Sequence, residues 1–191
     1  MTLPILAVRA ETRAELGSFD AAFASLNKYF DVVEAAEDAD IAAADAVIEA
    51  LDGLEHSSDI DSAYFACTLT APELGSDEFF AATGIGRDER QSVGGYDNPK
   101  LAVITAGDGE DERPPVLLIT WLNNIELEDA AEYVGDEGVV AAEQAAAVLA
   151  RSGKIQGVQI CTDDRATKFQ MVVAKQRSGV YAGVLTVSVE T

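Results

Sequence analysis

The chain carries a single histidine, His56, flanked by Ser57 and Ser58. A Ser-His-Asp arrangement would have to use that imidazole as its base, and neighbours along one backbone are too close to serve easily as its nucleophile. Zinc takes three or four ligands, which one histidine and two separated cysteines, Cys67 and Cys161, do not readily supply. In "TGIGRDE", Gly84 and Gly86 are followed by Glu89 where a dinucleotide-binding fingerprint has its third glycine. "DIDS" at Asp59 and "DADIA" at Asp38 both lack the glycine that a calcium loop places at its sixth position. Paired carboxylates carry no signal here, because 34 Asp and Glu residues make close pairs inevitable. Nucleophile, base and cofactor loop are all missing. The residues read as those of a binding protein with no enzymatic activity and no cofactor of its own.

The most pointed arrangement lies at the end, in "GVLTVSVET". Strict alternation puts Leu185, Val187 and Val189 on one face of a strand and Thr186, Ser188 and Glu190 on the other. Chain ends are usually loose unless something ties them down. A strand running to the last residue gives the Glu190 carboxylate and the Thr191 hydroxyl a firm mount.

Charge narrows the partners. Lys and Arg total 13, giving a formal charge of −21. Nucleic acids and anionic membranes are themselves polyanions, so neither is an expected partner, whereas a basic protein surface is. From Tyr29 to Gly86 there are 14 acids and no Lys or Arg. Five basic residues, Lys154, Arg165, Lys168, Lys175 and Arg177, form a milder patch near the end.

"MTLPILAV" has no basic leader region, and no stretch approaches the roughly 18–20 apolar residues of a membrane span. A cytoplasmic setting, with Cys67 and Cys161 reduced in or beside the core, is therefore expected.

The elements that must position these groups follow from periodicity. Phe19, Phe23, Leu26 and Phe30 have helical spacing behind a candidate N-cap, Ser18. Ile41, Ala44, Ile48 and Leu51 make the apolar stripe of a second helix, with Asp45, Glu49 and Asp52 opposite and Gly53 closing it. "AYFACTLT" reads as a strand, "SDEFFAATG" as a short helix capped by Ser76, and "KLAVITA" and "VLLITWL" as buried strands. "GIGRDERQSVGGYDNP" reads as a surface loop. An alanine-rich helix over "GDEGVVAAEQAAAVLARSG" precedes three strands, the last two joined by an "RSG" turn. Hairpin-like neighbours outnumber βαβ units, which predicts an α/β (α+β) protein with a mostly antiparallel sheet covered by helices. Residues 1–38 are expected to form a helical extension before a domain at 39–191.

"IEALDGLEHSSDIDSAYFACTLTA", followed by "FFAATG", resembles the start of the nuclease A inhibitor family. "DEGVVAAEQAAAVLARSGKIQGVQIC" and the ending "GVYAGVLTVSVET" resemble its last helix and final strands, with Val-Glu-Thr matching at the very terminus. The resemblance spans residues 40–84 and 125–191. It implies a three-layer α-β-α sandwich similar to pathogenesis-related proteins. It also implies inhibition of a metal-dependent, sugar-non-specific endonuclease that degrades DNA and RNA. The family presents its terminal threonine and an acidic loop residue to the nuclease active site. By position these are Thr191 and Asp59; the family has a glutamate at the latter place, and Asp61 is the nearest substitute. Such a cleft is basic and holds a divalent metal such as Mg²⁺, so oxygen donors at Thr191 can reach that metal in place of phosphate. The alternative is a non-catalytic protein-binding module of the same fold with a different or lost partner.

Overall fold

The computed structural model describes residues 2–54, 63–86, 100–107, 113–123, 130–162 and 167–189. Among them the chain forms seven strands and six helices: β1 Ile5–Val8, α1 Ala10–Gly17, α2 Asp20–Tyr29, β2 Asp31–Glu34, α3 Asp38–Ala50, β3 Phe65–Thr70, α4 Asp77–Thr83, β4 Leu101–Thr105, α5 Pro114–Asn123, α6 Ala130–Ala150, β5 Ile155–Cys161, β6 Thr167–Lys175 and β7 Tyr181–Val189. The strands make one sheet in the order β2-β1-β3-β7-β6-β5-β4. Only β1 and β2 run parallel, joined through α1 and α2; every other pair is antiparallel. The fold is thus mixed α/β on a mostly antiparallel sheet, as the order of elements predicts.

The last strand of the chain is the central strand of the sheet. β7 pairs with β3 on one side and with β6 on the other, and all but its last residue are buried. Its side chains enter two cores. Leu185 and Val187 pack with Met171, Cys67, Leu6, Leu26 and Phe79, drawing in α2 and α4. Val184 and Val172 pack instead with Leu51, Leu118, Leu122 and Leu149 from α3, α5 and α6. Both faces of β6 and β7 are buried, with Thr167, Lys168, Gln170, Thr186 and Ser188 as buried polar residues among the apolar ones.

Local chemistry sets the helix ends. The Ser76 hydroxyl accepts from Phe79 N–H at 3.1 Å, and Gly84 closes α4 at φ +73°. Gly84 therefore ends a helix instead of opening one around a phosphate. In α3 the apolar stripe is buried at Ile41, Ala44, Val47 and Leu51, while Asp45 meets Arg9 through two bonds of 2.6 Å.

Three expectations are corrected. "VLLITWL" lies in α5, not in a strand. Pro114 and Pro115 open the helix where their missing N–H groups cost nothing, and Thr120 Oγ1 donates back to the Val116 carbonyl at 2.9 Å. A short apolar run has no periodicity with which to tell the two states apart. Ser18 does not cap α2; its hydroxyl donates to the Glu15 carbonyl at the end of α1. Residues 1–38 are not purely helical. They supply β1, with Leu6 and Val8 fully buried, and β2, so the sheet has no break at position 38.

Candidate functional site

Asp59, Asp61, Glu190, Thr191 and His56 all lie outside the described residues. The backbone on which they hang is described, and its stems converge. β7 runs to Val189, which pairs with Thr167 of β6. The acidic segment 55–62 ends at Ala63, just before β3. The β3–β7 register sets Phe65 opposite Leu185, so two residues further on Ala63 falls level with Val187. A side-chain bond ties the two together: Thr186 Oγ1 donates to the Ala63 carbonyl at 3.1 Å. Thr186 itself has no exposed surface.

A third stem meets the other side of β7. Thr162 closes back on Thr167, its N–H and its hydroxyl both donating to the Thr167 carbonyl at 3.0 Å. Segments 55–62, 163–166 and 190–191 therefore all attach at one end of the central strands. Asp61 and Thr191 are each two residues along the chain from a fixed point, Ala63 and Val189 respectively. The arrangement can bring carboxylates from distant parts of the sequence to one end of the molecule.

Beneath these stems the sheet is polar. The Ser188 hydroxyl donates to Gln170 Oε1 at 2.7 Å, and both residues are buried. Lys168 pairs with Ser188 on one side and with Cys161 on the other, so the three share a row across β5, β6 and β7. Gln159 Nε2 donates to Cys161 Sγ at 3.5 Å. Lys168 is only 5% exposed, which corrects its assignment to a basic surface patch. The alternation in "KFQMVVAK" held the signal. Phe169, Met171 and Val173 take one face, so Lys168 must share the other with Val172 and Ala174, and burial of both faces puts it inside.

Both cysteines are free and buried. Desolvation pushes the Cys67 thiol up to about 12. Cys67 faces the core with Leu69, and β5, which carries Cys161, lies three strands away. That separation, about 14 Å at strand spacing, is far beyond disulfide reach. Among the described residues no group of three or more His, Cys, Asp and Glu side chains is placed to hold a metal, and no helix is long and apolar enough to cross a membrane.

Comparison with protein-family models gives no match, and comparison with curated proteins gives no significant one.

Proposed function

We propose that the chain is a protein inhibitor of a metal-dependent, sugar-non-specific DNA/RNA endonuclease. The observation that carries this reading is the bond from Thr186 to Ala63, which joins the stem of the acidic segment to the strand that leads to the C-terminus. In the proposal Asp59, or Asp61 beside it, pairs with a basic group of the nuclease cleft. Glu190 and Thr191 enter with the end of β7, and the Thr191 oxygens meet the nuclease's metal ion. A charge of −21 suits a basic cleft that normally takes a polyanion. The protein itself supplies no catalytic group and no cofactor, and acts in the cytoplasm by occupying the site.

The finer fold belongs to the same proposal: a three-layer α-β-α sandwich similar to pathogenesis-related proteins. It is supported by the way α2 and α4 share one core with one face of the sheet, while α3, α5 and α6 share the other. The test is direct. Purified protein titrated into a sugar-non-specific endonuclease with Mg²⁺ should stop cleavage of plasmid DNA and of RNA together, at near-stoichiometric ratio. Undiminished cleavage of both across a panel of such nucleases contradicts the proposal.

A second reading is favoured by one observation. The resemblance begins at residue 40, yet β1 and β2, which precede it, are built into the sheet and widen it beyond β3. A protein-binding module of the same fold, directed at another partner, accommodates that addition. Capture of a non-nuclease partner that competes with no endonuclease would select it.

A further inference from the structure

β2 is an outer strand of the sheet, and among the described strands β1 is its one partner. The Asp31 N–H donates to the Pro4 carbonyl at 2.9 Å, and the Ala35 N–H to the Val8 carbonyl at 2.8 Å. Backbone groups of successive residues point to opposite sides of a strand, so Asp31, Val33 and Ala35 turn theirs toward β1. Val32 and Glu34 turn theirs away from the sheet, and each brings one N–H and one C=O that call for partners. Among the described residues, one of these four groups is bonded: the Val32 carbonyl accepts from Arg13 Nε at 3.2 Å.

Arg13 is an exposed residue of α1, and this long bond is the one hydrogen bond of its side chain among the described residues. Val32 is only 3% exposed, so its outward groups open when the guanidinium swings aside. One such bond has a small net worth, and an exposed arginine leaves it at little cost. Asp31 and Glu34, at the two ends of β2, are both exposed, and alternation puts their carboxylates on opposite faces with the half-buried Val33 between them.

We propose that the β2 edge docks an extended, basic peptide segment of a partner protein. Running antiparallel to β2, the segment reads basic-apolar-x-basic, with its basic residues opposite Glu34 and Asp31 and its apolar residue opposite Val33. Its main-chain groups pair with those of Val32 and Glu34 once Arg13 has moved, which supplies affinity, while the alternate side chains supply specificity. Opposite charges attract across neighbouring strands. Two copies of this chain carry −21 each and repel, so a basic partner fits this edge better than a second copy. The edge lies three strand spacings from β7, about 14 Å, and the inference stands independently of nuclease inhibition.

The experiment is an NMR titration of the full chain with the capped peptide Thr-Lys-Val-Thr-Lys-Thr, with hydrogen exchange read residue by residue. Saturable binding is expected, and the Val32 and Glu34 amides should become protected from exchange. A general attraction to the acidic surface would leave those two amides unprotected. The same peptide with both lysines replaced by glutamate, or with the backbone nitrogens that face β2 methylated, should bind at least about tenfold more weakly. Asp31→Asn combined with Glu34→Gln should weaken binding by up to about tenfold. Arg13→Ala should tighten it, because the Val32 carbonyl is then open. All three positions are exposed, so the variants should fold. Absence of saturation, unprotected Val32 and Glu34 amides, equal binding of the methylated peptide, or a free chain that dimerises through β2 instead overturns the proposal.

Discussion

Thr186 on the central strand donates its hydroxyl to the carbonyl of Ala63, 123 positions earlier in the chain, across 3.1 Å. This bond fixes where the acidic segment rejoins the sheet relative to β7. Thr186→Val keeps the volume and removes the donor. It should cost about 1 kcal/mol in urea denaturation, the usual net worth of one hydrogen bond. Hydrogen exchange at Tyr64 and Phe65 should quicken. Unchanged exchange there would show that the strands alone hold the stem.

Gly183 lies in β7 where a Cβ would come within 2.1 Å of the Val172 carbonyl oxygen and 2.8 Å of Val173 Cα. Backbone cannot give way as a flexible side chain does. Gly183→Ala should therefore cost at least about 3 kcal/mol or prevent folding. Gly84→Ala meets no atom within 4 Å and only the strain of φ +73°, so about 1 kcal/mol is expected. Equal losses in the two variants would contradict the close packing of β6 on β7.

Much of this fold was legible because β3, β5, β6 and β7 carry alternation long enough to survive burial on both faces. The stripe of α3 and the Ser76 cap of α4 were legible for the same reason: each is a local rule that the tertiary structure did not override. β1 and β2 were not. Four residues give period two almost nothing to repeat, and "DVVE" follows directly on the helical stripe that ends at Phe30. α5 failed because its apolar residues face in more than one direction, with Leu117, Leu118, Ile119 and Leu122 all buried. One feature of the central sheet could only come from tertiary pairing: Gly157 leaves room for Trp121, whose ring a Cβ would meet at 2.7 Å. For the candidate site, the sequence named residues on two distant segments; only the β3–β7 register shows why their stems are neighbours.

Cys67 should resist alkylation in the native protein at pH 8, since burial pushes its thiol up to about 12. Burial favours the protonated form, so the folded state holds its proton at pH values where the unfolded chain has lost it. Stability owed to this group is complete below about pH 9 and declines as pH rises from about 9 to about 12. Cys67→Ala should remove that alkaline slope. In denaturant, mass measurement should count two alkylated thiols; a Cys67–Cys161 bridge would contradict the sheet order.

Association with the proposed nuclease partner should be steered by the acidic stretch from Asp31 to Asp61. Raising ionic strength to 1 M shortens the field to about 3 Å, and the association rate should fall by a decade or more. Stopped-flow rates independent of salt would leave the charge as surface solvation.

The central claim is that the end of β7 delivers Thr191 to the partner's metal, and the C-terminus tests it most directly. Two appended glycines keep the whole strand but move the free carboxylate roughly 6–7 Å further along, at about 3.3 Å per residue. Deleting Thr191 removes the hydroxyl and leaves the buried part of β7 intact. Inhibition constants against a sugar-non-specific endonuclease in Mg²⁺ should worsen at least about tenfold for both proteins, with thermal unfolding unchanged, because Mg²⁺ accepts oxygen ligands only within a narrow geometry. Inhibition by both variants at the wild-type level would contradict the claim and make the terminus an ordinary strand end.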